Sequence, residues 1–526
     1  MKLVLKDFAK TTNGYSTESP HRFIEGFIPH YVKLAKENSD ANFKNKVIPE
    51  HPLVLSAGVS IVEAKEGKHP VVMIPNPSGD YAGKVIYSTD LWEFFIDDST
   101  ESDLGIPNGT PTSNFGIDAV TFNDNIVTTH PLNTAPYRYD LTTGSSWSAI
   151  TSTLGTTVAK FLHTIIDVCL VTASSGLLTA RDEVKIIKSD WSVEDGITLP
   201  GYSVRGFGTH AGRFALIFTQ KTTADAASPK TQNSTSVFLW SPVSGGAYDE
   251  QYEIEGVYRT SIIYKSLCHV FTQSGNDIIC SVYTGAGFRE VRRIKNTTID
   301  AVILSPRNRV SIEGDFFVLL ARSNGNTTAA RPLYWNPYTN DSFFLVGWPD
   351  DFPYKGILVT QDPSDGSYLR YLSILNSSGF GVIYKTTIES STKSDIGALY
   401  KSNRIPAPFF NKSGQPHQDM PFGRMKINKI EVEYSVLPPS VNDIITLSLV
   451  TKDEYETESY TTSTSIIKNT TANSTKARVG TKRTVCDIGA ICTDFEIGLE
   501  VDVSTTSWDL IIRRIIIDYD PISIQS

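Results

Sequence analysis

Large aromatic residues return along this chain at near-regular intervals, and that recurrence limits its fold more than any other feature. Tryptophans stand at 92, 147, 191, 240 and 335. Trp147 to Trp191 is 44 residues and Trp191 to Trp240 is 49. Trp240 to Trp335 is 95, two such intervals with Phe288 at the middle, and Trp92 to Trp147 is 55. The flanking text repeats as well. Each unit is read as opening on an apolar strand, at 71–74, 125–128, 168–171, 214–217, 277–280 and 317–320. A turn rich in Gly, Ser, Thr, Asn or Pro follows, and then a second strand ending at or near the aromatic, as in EVKIIKSDW, SVFLW and RPLYW. A weaker seventh copy covers 371–386. A small twisted sheet cannot bury both its faces alone, whereas sheets stacked around an axis bury each other, and a unit of this length matches one four-stranded blade. The spacing therefore predicts an all-β chain: a β-propeller of about seven blades over 54–402, six if a terminal unit is partial. A row of unrelated β-sandwiches is the competing arrangement.

Two ends fall outside the repeat. Residues 1–53 show no sustained helical or strand period and read as an arm that drapes over the propeller and supplies a strand to close the ring. Residues 403–422 carry four prolines and read as a linker. The last part, 423–526, alternates apolar and polar residues in KINKIEVEYSVL, IITLSLVTKD, FEIGLEVDVS and WDLIIRRIIIDYDP, as strands half-buried in a small antiparallel β-sandwich do. Its first and last strands are the most apolar and are expected to pair antiparallel at its centre. The Ser/Thr-dense stretch 452–480 between them is either a long hairpin or an interaction loop.

Charge and cysteine content narrow the functional classes. Acidic residues outnumber basic ones 57 to 48, for a net charge of −9, and Lys and Arg form no run beyond the pairs Arg292-Arg293 and Arg513-Arg514. A grip on duplex DNA needs clustered cations, so neither that grip nor sequence-specific nucleic-acid binding is expected. No run of about 18 apolar residues is present to span a membrane. The start, MKLVLKDFAK, loses its apolar character too soon for a signal peptide, and the chain is expected to fold in a cytoplasm. Cys169, Cys268 and Cys280 lie in apolar strand text and read as buried thiols. Cys486 and Cys492 alone are placed to pair, across a short Gly-containing turn.

Catalytic signatures are missing. No phosphate loop, paired-histidine zinc motif or nucleophile elbow occurs. Gly206, Gly208 and Gly212 in GFGTHAG resemble a phosphate cradle, but no βαβ pattern surrounds them and a blade turn is expected. The nine histidines are scattered; His163 and His269 read as satisfied core residues. The acidic groups Asp97-Asp98 with Glu101 and Asp103, Asp350-Asp351, and Asp362 with Asp365 read as solvated turn residues. Paired carboxylates from separate blades would be needed for glycosidase work at the axis. Ser88-Thr89-Asp90-Leu91-Trp92 approaches a sialidase-type repeat without its glycine, and the Trp508-Asp509 dipeptide lies outside the propeller. No catalytic, cofactor-binding or metal-binding residue is assigned, and no enzyme is expected.

The arm with Gly26-Phe27-Ile28-Pro29, the degenerate propeller and the closing sandwich from KINKIEVEYSVL to IIRRIIIDYDP together resemble the propeller-containing virion proteins of tailed bacteriophages, of tail-nozzle, hub and stabilisation type. The resemblance is architectural. It implies a structural virion component with other tail proteins as partners, assembled as a homo-oligomeric ring, in which a mildly acidic lumen would let DNA pass. Two other classes stay open: a receptor- or glycan-binding virion protein, and a carbohydrate-active propeller enzyme.

Overall fold

The computed structural model describes residues 2–5, 22–25, 27–29, 53–55, 59–66, 70–77, 79, 82–97, 102–108, 118–130, 135–144, 146–150, 158–174, 181–221, 233–243, 245–295, 297–299, 306–323, 330–339, 341–346, 354–361, 363, 368–375, 380–387, 398–401, 405–406, 424–437, 443–452, 458–467, 482–502 and 509–522. Two compact units emerge: Ser60–Pro332 with Asp351–Thr386, and Met1–Val59 with Leu333–Asp350 and Thr387–Ser526.

The first unit is a seven-bladed propeller. Five four-stranded antiparallel sheets follow one another, with inner strands Pro70–Pro75, Asp118–Phe122, Val158–Ile165, Tyr202–His210 and Val257–Tyr264; these are blades I to V. Blade VI begins with Thr297–Ile299 and Val310–Glu313, both paired with Phe316–Ser323. Blade VII runs through Tyr354–Gln361, Tyr368–Leu375 and Phe380–Thr387, and its outermost strand is Val59–Glu66, drawn from before blade I. Its inner strand lies beside that of blade I, and Met73, Val85 and Tyr87 pack with Leu369, Tyr371 and Ile383 across the seam. A strand does close the ring, but it follows the 1–53 arm rather than belonging to it.

Four of the recurring aromatics share one packing role. Trp147 and Trp191 follow the third strand of blades II and III, and Trp240 ends that strand in blade IV. Each packs back onto the preceding blade: Trp147 on Phe94 with ring centroids 4.9 Å apart, Trp191 on Phe122 at 5.6 Å, and Trp240 among Ile186 and Ile197. Phe288 does the same at the start of the fourth strand of blade V, 6.3 Å from Phe218. Trp335, near the end of Arg331–Asn336, is fully buried. Trp92 instead turns forward from blade I and donates through Nε1 to Thr128 of blade II, 2.9 Å away, which explains its irregular interval.

The run at 71–74 is the inner strand of blade I, but the other units start earlier than their apolar runs: those runs are the second strands of blades II, III, IV and VI and the third of blade V. Second strands are buried on both faces, as in Asn125–Thr129, and read as continuous apolar text. Inner strands line the axis, carry polar residues and are harder to see.

In the second unit, Arg424–Leu437 and Asp509–Ile522 pair antiparallel as expected, with Ile430 opposite Ile517 and Val432 opposite Ile515, all four buried. The arm strands Lys2–Leu5 and Leu53–Leu55 pair with Asp509–Ile522, so they extend this sheet, while 6–21 and 30–52 lie outside the described residues. A second sheet runs from Asp341–Val346 through Arg22–Glu25, Ala398–Lys401, Asp494–Asp502 and Asp443–Lys452 to Glu458–Ile467. The start of the polar stretch is thus a hairpin, and 468–480 lies outside the described residues, as does the linker from 407 to 422. Cys492 is buried, and the Cys486 side chain lies outside what the structure describes. The thiols of Cys169 and Cys268 are free, and burial pushes both up to about 12. No helix among the described residues is long and apolar enough to cross a membrane.

Candidate functional site

Each inner strand turns one face to the propeller axis, where no neighbouring sheet covers it. Polar side chains are tolerated there, and the strands surround a cavity of about 390 Å³. Phe161, Phe207 and Tyr258 supply apolar wall, and Asp118, Thr121, His163, Thr164, Arg307 and Asn308 supply polar groups.

The short 3-10 turn Pro306–Arg309, ahead of the inner strand of blade VI, ties the cavity together. Asn308 accepts the Met73 N–H at 2.9 Å and donates to the Met73 carbonyl at 2.8 Å, so a side-chain amide completes the edge of blade I. Arg307 donates through Nε to Asp118 of blade II at 3.3 Å and through Nη2 to the Leu162 carbonyl of blade III at 2.8 Å. Arg309 donates to the Arg259 carbonyl of blade V at 2.9 Å, and the neighbouring Ser311 hydroxyl exchanges bonds with both backbone groups of Val359 in blade VII. Residues 307–311 thereby reach five other blades.

Asn308→Ala would leave two buried backbone groups of Met73 without partners, at a cost of about 2–4 kcal/mol. Urea unfolding should register that loss, and amide exchange should speed up at Met73. Unchanged exchange there would show that Asn308 does not hold the seam.

Asp118, 5% exposed, accepts from the Ala119 N–H at 3.0 Å and the Leu162 N–H at 2.8 Å besides Arg307. His163 bonds Thr209 Oγ1 through Nε2 at 2.7 Å and stacks on Phe207. Burial, followed by the Arg307 charge, pulls His163 from 6.5 down to about 3. The folded protein therefore binds fewer protons here than the unfolded chain between those limits. Stability from this group is complete above pH 6.5 and is lost as pH falls towards 3, by at most about 1.4 kcal/mol per unit. His163→Gln should flatten this part of the pH–stability curve; an unaltered slope would assign the acid sensitivity to other groups. Tyr258, its phenol raised chiefly by burial, bonds Ser261 at 3.0 Å, and Ser261 donates to the Phe207 carbonyl.

The residues singled out in the sequence lie mostly elsewhere. His163, expected as a satisfied core residue, lines the cavity and, among the described residues, is bonded through Nε2 alone. His269 is buried in the second strand of blade V, with Nδ1 3.1 Å from the Leu267 carbonyl. Gly206 and Gly208 are in the inner strand of blade IV, not in a turn; only Gly212, at φ +73°, is in one. Asp97 lies 3.4 Å from the Tyr371 hydroxyl and Asp103 accepts the Gly105 N–H, both away from the axis. Asp98, Glu101, Asp350, Asp351, Asp362 and Asp365 lie outside the described residues. Asp118 and Arg307 carried no sequence signal beyond their types. Among the described residues no His, Cys, Asp and Glu side chains gather as a metal site.

No family model matches the chain, and no curated protein does. Solved structures do resemble it. Oligopeptidase B from Trypanosoma brucei is 9% identical with a TM-score of 0.35, over 60% of this chain and 46% of that one, so this chain spans about half of its length. An exo-β-1,3-galactanase from Phanerochaete chrysosporium is 9% identical with a TM-score of 0.29, over 78% and 96%. The β-propeller domain of the Trilobed protease from Pyrococcus furiosus is 9% identical with a TM-score of 0.34, over 55% and 91%. The expectation that the chain is no enzyme is overturned by these likenesses, a galactanase among them, and is withdrawn.

Proposed function

We propose that the chain is a carbohydrate-directed propeller protein that takes a glycosyl unit in its axial cavity. The observation that carries this reading is the mixed lining. A sugar ring presents apolar C–H faces and a rim of hydroxyls, and here three aromatic side chains share a cavity of about 390 Å³ with hydroxyl, carboxylate and guanidinium groups. That volume lies within the range of ligand sites of roughly 300–1,000 Å³. The reading is common to a glycan-binding virion protein and a carbohydrate-active enzyme. Hydrolysis by the usual route takes two carboxylates, and Asp118 is the one the described lining offers. A panel of saccharides tested for binding by calorimetry and for cleavage by product analysis separates the two. Binding abolished by Phe207→Ala in a folded protein supports the cavity as the site. If no saccharide binds, the carbohydrate reading falls.

A further inference from the structure

The charged hydrogen-bonding capacity left over in the axial cavity is one-sided. Both oxygens of Asp118 are engaged, by the Ala119 and Leu162 amides and by Arg307. The Asn308 amide is committed to both backbone groups of Met73. Arg307 spends Nε and Nη2 on Asp118 and Leu162, while its Nη1 has no partner among the described residues, and its side chain is 33% exposed. The hydroxyls of Thr121 and Thr164, in the same lining, have none either. What remains is one guanidinium edge, two hydroxyls that can donate or accept, and the second ring nitrogen of His163, with the carboxylate already covered.

From this we infer that the axial cavity selects a glycosyl unit bearing an anionic oxygen, a carboxylate or sulfate, and that Arg307 is the residue that reads it. The inference rests on the carbohydrate reading of the cavity. A guanidinium edge held rigid by three other hydrogen bonds meets such a group without further ordering, and charge-assisted bonds are roughly twice as strong as neutral ones. The Asp118 charge lies on the Nε side of the guanidinium and is offset by the amides that cap it, so it opposes an anion at Nη1 less than a bare carboxylate would.

The test is calorimetric titration of the full chain with methyl β-D-glucuronide, methyl β-D-glucoside, acetate and sulfate. The glucuronide should bind at least about tenfold more tightly than the glucoside. Arg307→Gln should erase that preference, bringing the ratio of glucuronide to glucoside affinity to about one. Because Arg307 also joins three blades, Thr164→Val serves as the second variant and should weaken the glucuronide selectively with its fold intact. Equal affinity for the two glycosides overturns the inference and leaves the carbohydrate reading standing. Acetate or sulfate binding as tightly as the glucuronide overturns the carbohydrate reading while upholding the anion preference. No binding of any probe overturns both.

Discussion

Glu313→Ala should destabilise the propeller by about 3–5 kcal/mol, the loss expected when one member of a buried ion pair is removed. Glu313 ends the inner strand of blade VI and Arg370 lies in the second strand of blade VII; their side chains are 0% and 1% exposed. Arg370 meets the carboxylate in a fork, Nε on one oxygen and Nη2 on the other. The alanine variant strands a guanidinium in a site with no water to solvate it. Arg370→Met alone should be equally harmful for the converse reason. The double variant Glu313→Met with Arg370→Met removes both charges and should come within about 2 kcal/mol of the parent, far better than the two single losses added. Urea unfolding of the four proteins decides the matter. Additive losses would mean that the pair is not a unit and that its burial is not what makes it costly to break.

The second large effect concerns two glycines in one strand. A β-carbon on Gly206 would fall 2.3 Å from the Tyr258 hydroxyl oxygen and 2.6 Å from two ring carbons, and one on Gly208 would fall 2.4 Å from Cys268 Sγ. Neither neighbour can swing aside. Tyr258 stacks on Phe218 with ring centroids 4.8 Å apart and is bonded to Ser261, and Cys268 is 1% exposed. Gly206→Ala and Gly208→Ala should each cost about 1–3 kcal/mol as overpacking between blades IV and V. The cause is separable from any general dislike of alanine in that strand. Cys268→Ala makes a hole beside Gly208, and in that background Gly208→Ala should become nearly neutral. If Gly208→Ala costs the same with and without the cysteine sulfur, the close approach is not the reason for the glycine.

That strand also shows where reading the chain by eye stops working. GFGTHAG looks like a turn because glycine punctuates turns, yet two of its three glycines are there so that a neighbouring blade can come close. Trp147, Trp191 and Trp240 were legible because each packs against the blade before it, so packing repeats them in sequence. The sandwich pairing was legible because Ile430, Val432, Ile515 and Ile517 alternate on buried faces. The axial cavity left no comparable trace. It gathers residues from each of seven blades, and the partners that matter are far apart: Asp118 and Arg307 by 189 residues, Met73 and Asn308 by 235. The only local hint is the polar run Pro306-Arg307-Asn308-Arg309, standing where an inner strand should begin.

The borrowed strand of blade VII sets a timetable for biosynthesis. Val59–Glu66 leaves the ribosome before any blade, but its partner Phe380–Thr387 begins 314 residues after Glu66. At about 5–20 residues per second that interval is roughly 15–60 s. For that time the early strand presents unsatisfied backbone edges that another nascent chain can capture. Ring closure is also the longest-range pairing in the propeller, and such pairings are slow because chain entropy is lost before the contact repays it. Termination before Phe380 would release an incomplete ring with its closing strand still unpaired, a species destined for chaperones and proteases.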